Sequence, residues 1–199
     1  MADDVNRDEV AALRAQLEEQ VHRLNRLLEI GTQLSSTLRL DELLEQIMEG
    51  AAEVVGAETS SLLLVDEETG ELIVSVATGA SGAKVLQERI PSGRGIAGHV
   101  VDKAEPVIVE NPREDPRFYS SIDEQSGFET RNLLAVPLRT PERVIGAIEV
   151  INKRSGAFDI EDLRVATALA GQAAAAIDNA RLYARLADAV VTSRLSYRL

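Results

Sequence analysis

The 199 residues predict an α+β domain, an antiparallel β-sheet with helices on one face and a long lid breaking into the run of strands. Three observations lead there. Between residues 60 and 152, short apolar runs with strand-like period two are joined by tight polar turns. Both ends of the chain switch to helical spacing. Two long segments, 79–105 and 111–131, interrupt the strands, and the second holds Phe118, Tyr119 and Phe128, half of the three Phe and three Tyr in the chain.

Residues 8–30 read as one helix, in which Val10, Leu17 and Leu24 recur every seven residues and Val21 and Leu28 fill the complementary column. That is a narrow seam of the coiled-coil kind, weakened by Arg14 and Gln20. Gly31 marks a break. A second amphipathic helix places Leu40, Leu43, Leu44, Ile47 and Met48 on one face, with Asp41 near its start. Strands are predicted at 60–66 and 71–78, a hairpin across EETG, then at 106–110 behind Pro106. A further hairpin joins 132–139 to 143–152 across Pro141, and Pro137 calls for an edge or bulged position. Such short links make most of the sheet antiparallel. Loops as long as the two interruptions are lids or disorder, and the gathered aromatics point to a packed lid. From Ile160 a long helix carries the stripe Leu169, Ala173, Ala176, Ala180, Ala184, Ala187 and Val191, small residues that let two helix backbones approach closely. The expected division is 1–30, an N-terminal seam helix; 31–180, the domain; and 181–199, a C-terminal helical extension.

Composition narrows the chemistry. A hydrophobic fraction of 45% and a charged fraction of 27% exclude a disordered chain. The formal charge of −12 argues against nucleic acid or anionic lipid as a partner. The absence of cysteine removes thiol nucleophiles, redox dithiols, zinc ribbons and thioether-anchored chromophores. The start is acidic without an apolar core, and 163–177 is too short and too weakly apolar to cross a bilayer, so the expected location is the cytoplasm. Residues 1–20 carry six acids against two bases, and 181–199 four arginines against Asp188. That asymmetry is either a solvated bias or a docking tail for an acidic protein partner.

Catalytic sets fail one by one. Gly93, Gly95 and Gly98 spell G-x-G-x-x-G, but Pro91 and polar residues stand where a buried strand should precede it, and Pro106 stops any helix within about two turns. His22 and His99 cannot build a histidine metal cage, and His99 has no evident nucleophile or orienting partner. The expected protein is not an enzyme and holds no metal or covalent cofactor. Glu149 is more informative. In 144–151, Ile145, Ala147, Glu149 and Ile151 share one strand face. A carboxylate among apolar neighbours needs hydrogen bonds, from a ligand or from backbone.

Three stretches carry a family resemblance: GIAGHV (95–100), DPRFYSSIDEQSGFETRNLLAVPL (115–138) and VIGAIEVINK (144–153). They resemble a GAF domain, and more narrowly the cyclic-nucleotide-binding GAF modules of phosphodiesterases and bacterial adenylate cyclases. The resemblance implies helices packed on one face of the sheet, a long lid over the other, and a ligand enclosed between sheet and lid. It implies a site of Ser61, Ala97, Asp123, Ser126, Thr130 and Glu149, with Asp123 against the purine and Thr130 near phosphate and ribose. Phe118, Tyr119 and Phe128 would form lid and pocket wall. Asn152, Lys153, Phe158 and Asp162 match a bracing signature whose last glutamate is here Leu163. An aromatic–acid pair common against the base is here Ala77 and Thr78, which removes a stacking surface. The reductases built on this fold use cysteines, which this chain lacks. The implied protein is a sensor binding a small ligand, such as cyclic AMP or cyclic GMP. It would work as a homodimer through helices 8–30 and 160–192; a ligand-free scaffold acting on another protein is the alternative.

Overall fold

The computed structural model describes the backbone of residues 37–196 and the side chains of residues 40–186. The seam helix expected over 8–30, and the stripe positions Ala187 and Val191, lie outside the residues whose side chains are described. Leu40–Asp178 forms one compact unit. Its elements are α1 (Thr37–Val55), β1 (Ala57–Val65), β2 (Leu72–Ala77), α2 (Gly82–Val85), β3 (Arg89–Ile90), α3 (Gly95–Lys103), β4 (Val107–Val109), a 3-10 turn (Pro112–Glu114), α4 (Ser121–Ser126), β5 (Leu133–Arg139), β6 (Val144–Lys153) and the start of α5 (Ile160–Ser196).

The strands form one antiparallel sheet in the order β3-β2-β1-β6-β5-β4. A parallel dinucleotide-binding sheet is thereby excluded. The first hairpin turns where expected. Asp66 accepts the backbone N–H groups of Glu68 (3.0 Å) and Thr69 (3.3 Å), and Gly70 takes the positive φ of +74° that closes the turn. Pro137 pairs with Ala147 of β6 at a point where β4, which pairs only with Leu133, Leu134 and Ala135, has already ended. Its missing N–H therefore breaks no ladder bond to a neighbour.

Side-chain alternation sends the two sheet faces to two cores. Leu62, Val76, Leu134, Val136, Ile148 and Val150 pack with Leu44, Met48, Ala51 and Val55 of α1 and with Ala166, Ala170, Ala173, Ala174 and Ile177 of α5. Leu63, Leu72, Val74, Leu133, Ala135 and Ala147 face the other way, with Ile96, Ala97 and Val100 of α3. Helices thus cover one face, and the two interrupting segments cover the other.

Three sequence expectations are corrected. Ile145 belongs to the helical-side core, not to the face of Glu149, because the β5–β6 register slips between Leu138 and Arg139 and the extra residue turns Ile145 over. Leu43 is exposed, so the buried stripe of α1 runs through Leu44, Met48, Ala51 and Val55. Ala173, expected in a helix-pairing stripe, is fully buried in the core of its own domain. The two interruptions also hold regular elements, α2, β3 and α3 in the first and the 3-10 turn and α4 in the second. These are too short for periodicity to reveal.

Candidate functional site

A cavity of about 410 Å³ lies between the sheet and the covering segments, within the range of small-molecule pockets. Its floor is Ser61 and Leu63 of β1, Val74 and Ala77 of β2, and Glu149 and Ile151 of β6. Gly95, Ile96 and Ala97 at the start of α3 form one wall. Phe118, Tyr119, Ile122, Asp123, Ser126, Phe128 and Thr130 form the lid. All six residues expected at the ligand site, and the three lid aromatics, therefore line one cavity. Asn152, Lys153, Phe158 and Asp162 do not.

Glu149 sits on the central strand opposite Ser61 of β1 and Ala135 of β5. Protein surrounds it, and its partial accessibility is to the cavity it lines. Burial, reinforced by the nearby charge of Asp123, pushes its carboxyl up to about 7, while the backbone N–H of Ala97 and the hydroxyl of Ser61 pull the other way. Burial wins because the Lys and Arg that could offset it are elsewhere; Arg154 is the one such residue lining the cavity among those described.

Asp123 is held differently. Its two carboxylate oxygens accept the backbone N–H (2.8 Å) and the hydroxyl (2.7 Å) of Thr130, a pair that closes the lid loop on itself. The Ser126 hydroxyl donates back to the Ile122 carbonyl at 2.7 Å and accepts the Phe128 N–H at 3.1 Å, so it is spent on its own helix end. The lid is tied across the cavity as well: Lys84 Nζ of α2 donates to the Ser126 carbonyl at 3.1 Å.

The root of the lid hangs on Asn152, which is fully buried with φ of +59°. Its side-chain oxygen accepts the Arg131 N–H (2.8 Å), and its nitrogen donates to the Glu129 carbonyl and to Glu58, both at 2.9 Å. Asparagine suits both demands, since it tolerates the left-handed region and carries a donor and an acceptor. Asn152→Ala would remove the three hydrogen bonds its buried side chain makes to Arg131, Glu129 and Glu58, at about 1 kcal/mol each an expected loss of about 3 kcal/mol. Urea unfolding measures it, and a loss below about 1 kcal/mol would show that the lid root is anchored elsewhere.

Bracing extends to α5. Asp159 accepts the N–H groups of Glu161 (2.9 Å) and Asp162 (3.0 Å), while Asp162 accepts the Asp159 N–H (2.9 Å), a reciprocal cap. Lys153 pairs with the same oxygen of Asp162 and lies 5.9 Å from the Phe158 ring centre. The pair ties the end of β6 to the start of α5. Leu163, where the resemblance expects glutamate, packs half-buried against the helical-side core.

Several lining residues escaped the sequence reading: the segment 79–82, Val85, Ile90, Glu58 and Arg154. One signal was available in Gly82, where a Cβ would lie 2.3 Å from the Ala77 carbonyl oxygen, so only glycine lets α2 rest on the end of β2. Ala77 and Thr78 do line the cavity, and Thr78 accepts the Ser60 N–H at 2.9 Å. His99 is not a lining residue, and no group of three or more His, Cys, Asp or Glu placed to hold a metal occurs among the described residues. No helix among them is long and apolar enough to cross a membrane.

Known proteins share this fold. The GAF domain family profile matches residues 37–178. A Caenorhabditis elegans protein named "Probable 3′,5′-cyclic phosphodiesterase" is 30% identical over 171 residues, 80% of this chain; the chain spans only 23% of that relative's length. The GAF domain of a phosphoenolpyruvate-protein phosphotransferase from Coxiella burnetii aligns with a TM-score of 0.68 at 22% identity, covering 82% of this chain and 95% of that one. The free methionine-R-sulfoxide reductase of Neisseria meningitidis aligns with a TM-score of 0.61 at 21% identity, covering 79% and 88%. At such identities the structural likenesses speak to fold alone. With the family match spanning most of its length, the chain belongs to the GAF domain family.

Proposed function

We propose that this GAF domain is a non-catalytic sensor whose cavity binds a small ligand, with a cyclic purine nucleotide as the ligand class. The observation that carries the reading is the cavity itself, with the Glu149 carboxyl facing into it from the central strand. A purine offers N–H donors to Glu149, and the lid aromatics Phe118, Tyr119 and Phe128 offer the stacking surface that Ala77 and Thr78 do not. The similarity to a phosphodiesterase-named relative supports the class.

The signal would travel through β6. Glu149 faces the cavity, while its neighbours Ile148 and Val150 face the alanines of α5, so ligand and helix press on opposite sides of one strand. A ligand that binds one arrangement of that strand better than another shifts the helices accordingly. The receiving device would be a homodimer through helices 8–30 and 160–192. In its own unit, the stretch of α5 beyond Asn179 exposes Leu182, Tyr183 and Leu186, which supports a helix-pairing role.

Calorimetric titration with cyclic AMP and cyclic GMP tests the reading. Micromolar binding that weakens about 10- to 100-fold in Glu149→Ala is the expected result, the size of losing a charge-assisted hydrogen bond. Silence of the wild type at millimolar ligand would end the nucleotide reading. It would favour the alternative, a scaffold in which Asp123 and Thr130 already satisfy each other and the lid has no guest.

A further inference from the structure

Three acids line the cavity, Glu58, Asp123 and Glu149, and two of them are spoken for. Asp123 is held by Thr130, and Glu58 accepts Arg131 Nη2 at 2.7 Å and Asn152 Nδ2 at 2.9 Å, which holds its carboxyl below the usual range. Against them stands Arg154. Its backbone is pinned, its N–H donating to the Gly56 carbonyl at 2.8 Å just past the end of β6. Its guanidinium is exposed at the rim, and among the described residues its charge feels only the longer-range pull of the already committed Glu58.

We propose that Arg154 is the anion-recognition residue of this cavity. It holds at the rim a monoanionic group of a ligand whose N–H-bearing planar body lies inward against Glu149. This rests on the reading of the cavity as a ligand site, and it names the orientation and charge of what binds there. An anion placed inward would meet Glu149 and Asp123 in a desolvated space, where like charges repel most strongly. The Ala97 N–H at the start of α3 interacts with Glu149, so a second anion placed there would compete with that carboxyl. At the rim the five donors of a guanidinium are open to a forked pair of oxygens. A cyclic phosphodiester and a carboxylate both supply such a pair, and the two sources are separable by experiment.

The experiment is calorimetry on the full chain with two matched pairs: cyclic AMP against adenosine, and benzimidazol-2-one-5-carboxylate against benzimidazol-2-one. The expected result is about a tenfold preference of the wild type for the anionic member of a pair it binds, a charge-assisted contact discounted for its exposure. Arg154→Gln removes that preference and leaves the neutral member unchanged. Arg154→Lys keeps part of it, and about 0.5 M salt shrinks it in the wild type. A preference that survives in Arg154→Gln overturns the proposal, as does a wild type that takes the neutral members equally well. Failure with cyclic nucleotides alongside an Arg154-dependent preference in the benzimidazolone pair would sink the nucleotide reading and support the rim role. Binding of cyclic AMP that Arg154→Gln does not weaken does the reverse, and no binding of any probe overturns both.

Discussion

Alanine at Gly146 is expected to destabilise the domain by about 4 kcal/mol or more, at the high end for a single methyl group. Gly146 lies near the start of β6, paired with Leu64 of β1 on one side and Leu138 of β5 on the other. A Cβ there would sit 2.0 Å from the Leu63 carbonyl oxygen and 3.1 Å from the Leu64 Cα. Both are backbone atoms of a strand hydrogen-bonded on each side, so neither can withdraw without breaking a ladder. Flexible side chains could yield; a central sheet cannot. The expected drop in Tm is about 8 °C or more, taking 2–4 °C per kcal/mol for a chain of this size. Gly50→Ala in α1 and Gly171→Ala in α5 are the controls, because a Cβ at either meets nothing within 4 Å. Those two should be neutral or stabilising, by up to about 1 kcal/mol. Equal midpoints for Gly146→Ala and wild type would mean that β6 is not seated against β1 as described.

Glu149→Gln should act in the opposite direction, stabilising the protein at high pH. The Glu149 carboxyl has its proton affinity raised on folding, from an ordinary 4.5 to about 7. Between those values the folded state holds a proton that the unfolded state has released. Stability therefore falls as pH rises through that window and levels off above it. The penalty for the ionised group amounts to about 3 kcal/mol above pH 7 and vanishes below about pH 4.5. Glutamine keeps the shape without the charge, so the variant should exceed the wild type by about 3 kcal/mol at pH 8 and match it at pH 4.5. Subtracting the two curves cancels the acids whose carboxyls are held low, Glu58, Asp66, Asp115 and Asp159, which lose their contribution on acidification in both proteins. A difference that does not change with pH would show that Glu149 keeps water around its charge. Stability gained by removing an inward carboxylate is what a site kept for binding would display.

Much of the domain could be read before any coordinates. Apolar runs bounded by polar turns locate β1, β2, β5 and β6 within a few residues, because strands covered on both faces are apolar at nearly every position, and strand alternation then sorts their side chains between the two faces. The same alternation places Glu149 on the wrong side of an oil–water balance, and the cavity explains it. The family resemblance supplied the lid contributions of Asp123, Ser126 and Thr130, which no local pattern could have brought beside β6.

What stayed hidden shares one cause. Ile145 turned over because a bulge opposite Leu138 and Arg139 breaks the period within a single residue. The buried Ala173 reads alike whether it faces a second helix or its own sheet, since alanine at helical spacing fits either neighbour. Gly146 is demanded by a carbonyl oxygen of a neighbouring strand, and Arg154 reaches the cavity rim just past the end of β6, whose N–H bond to Gly56 no local pattern reports.

By itself the sequence determined the fold class and the oddity of a carboxylate on an apolar strand face, because periodicity and charge are properties of neighbours along the chain. Only the tertiary structure decided which polar groups satisfy one another. Asp123 is closed by Thr130 and the lid root by Asn152, while Arg154 is left at the rim, because these partners meet through sheet register and loop closure between segments distant in sequence.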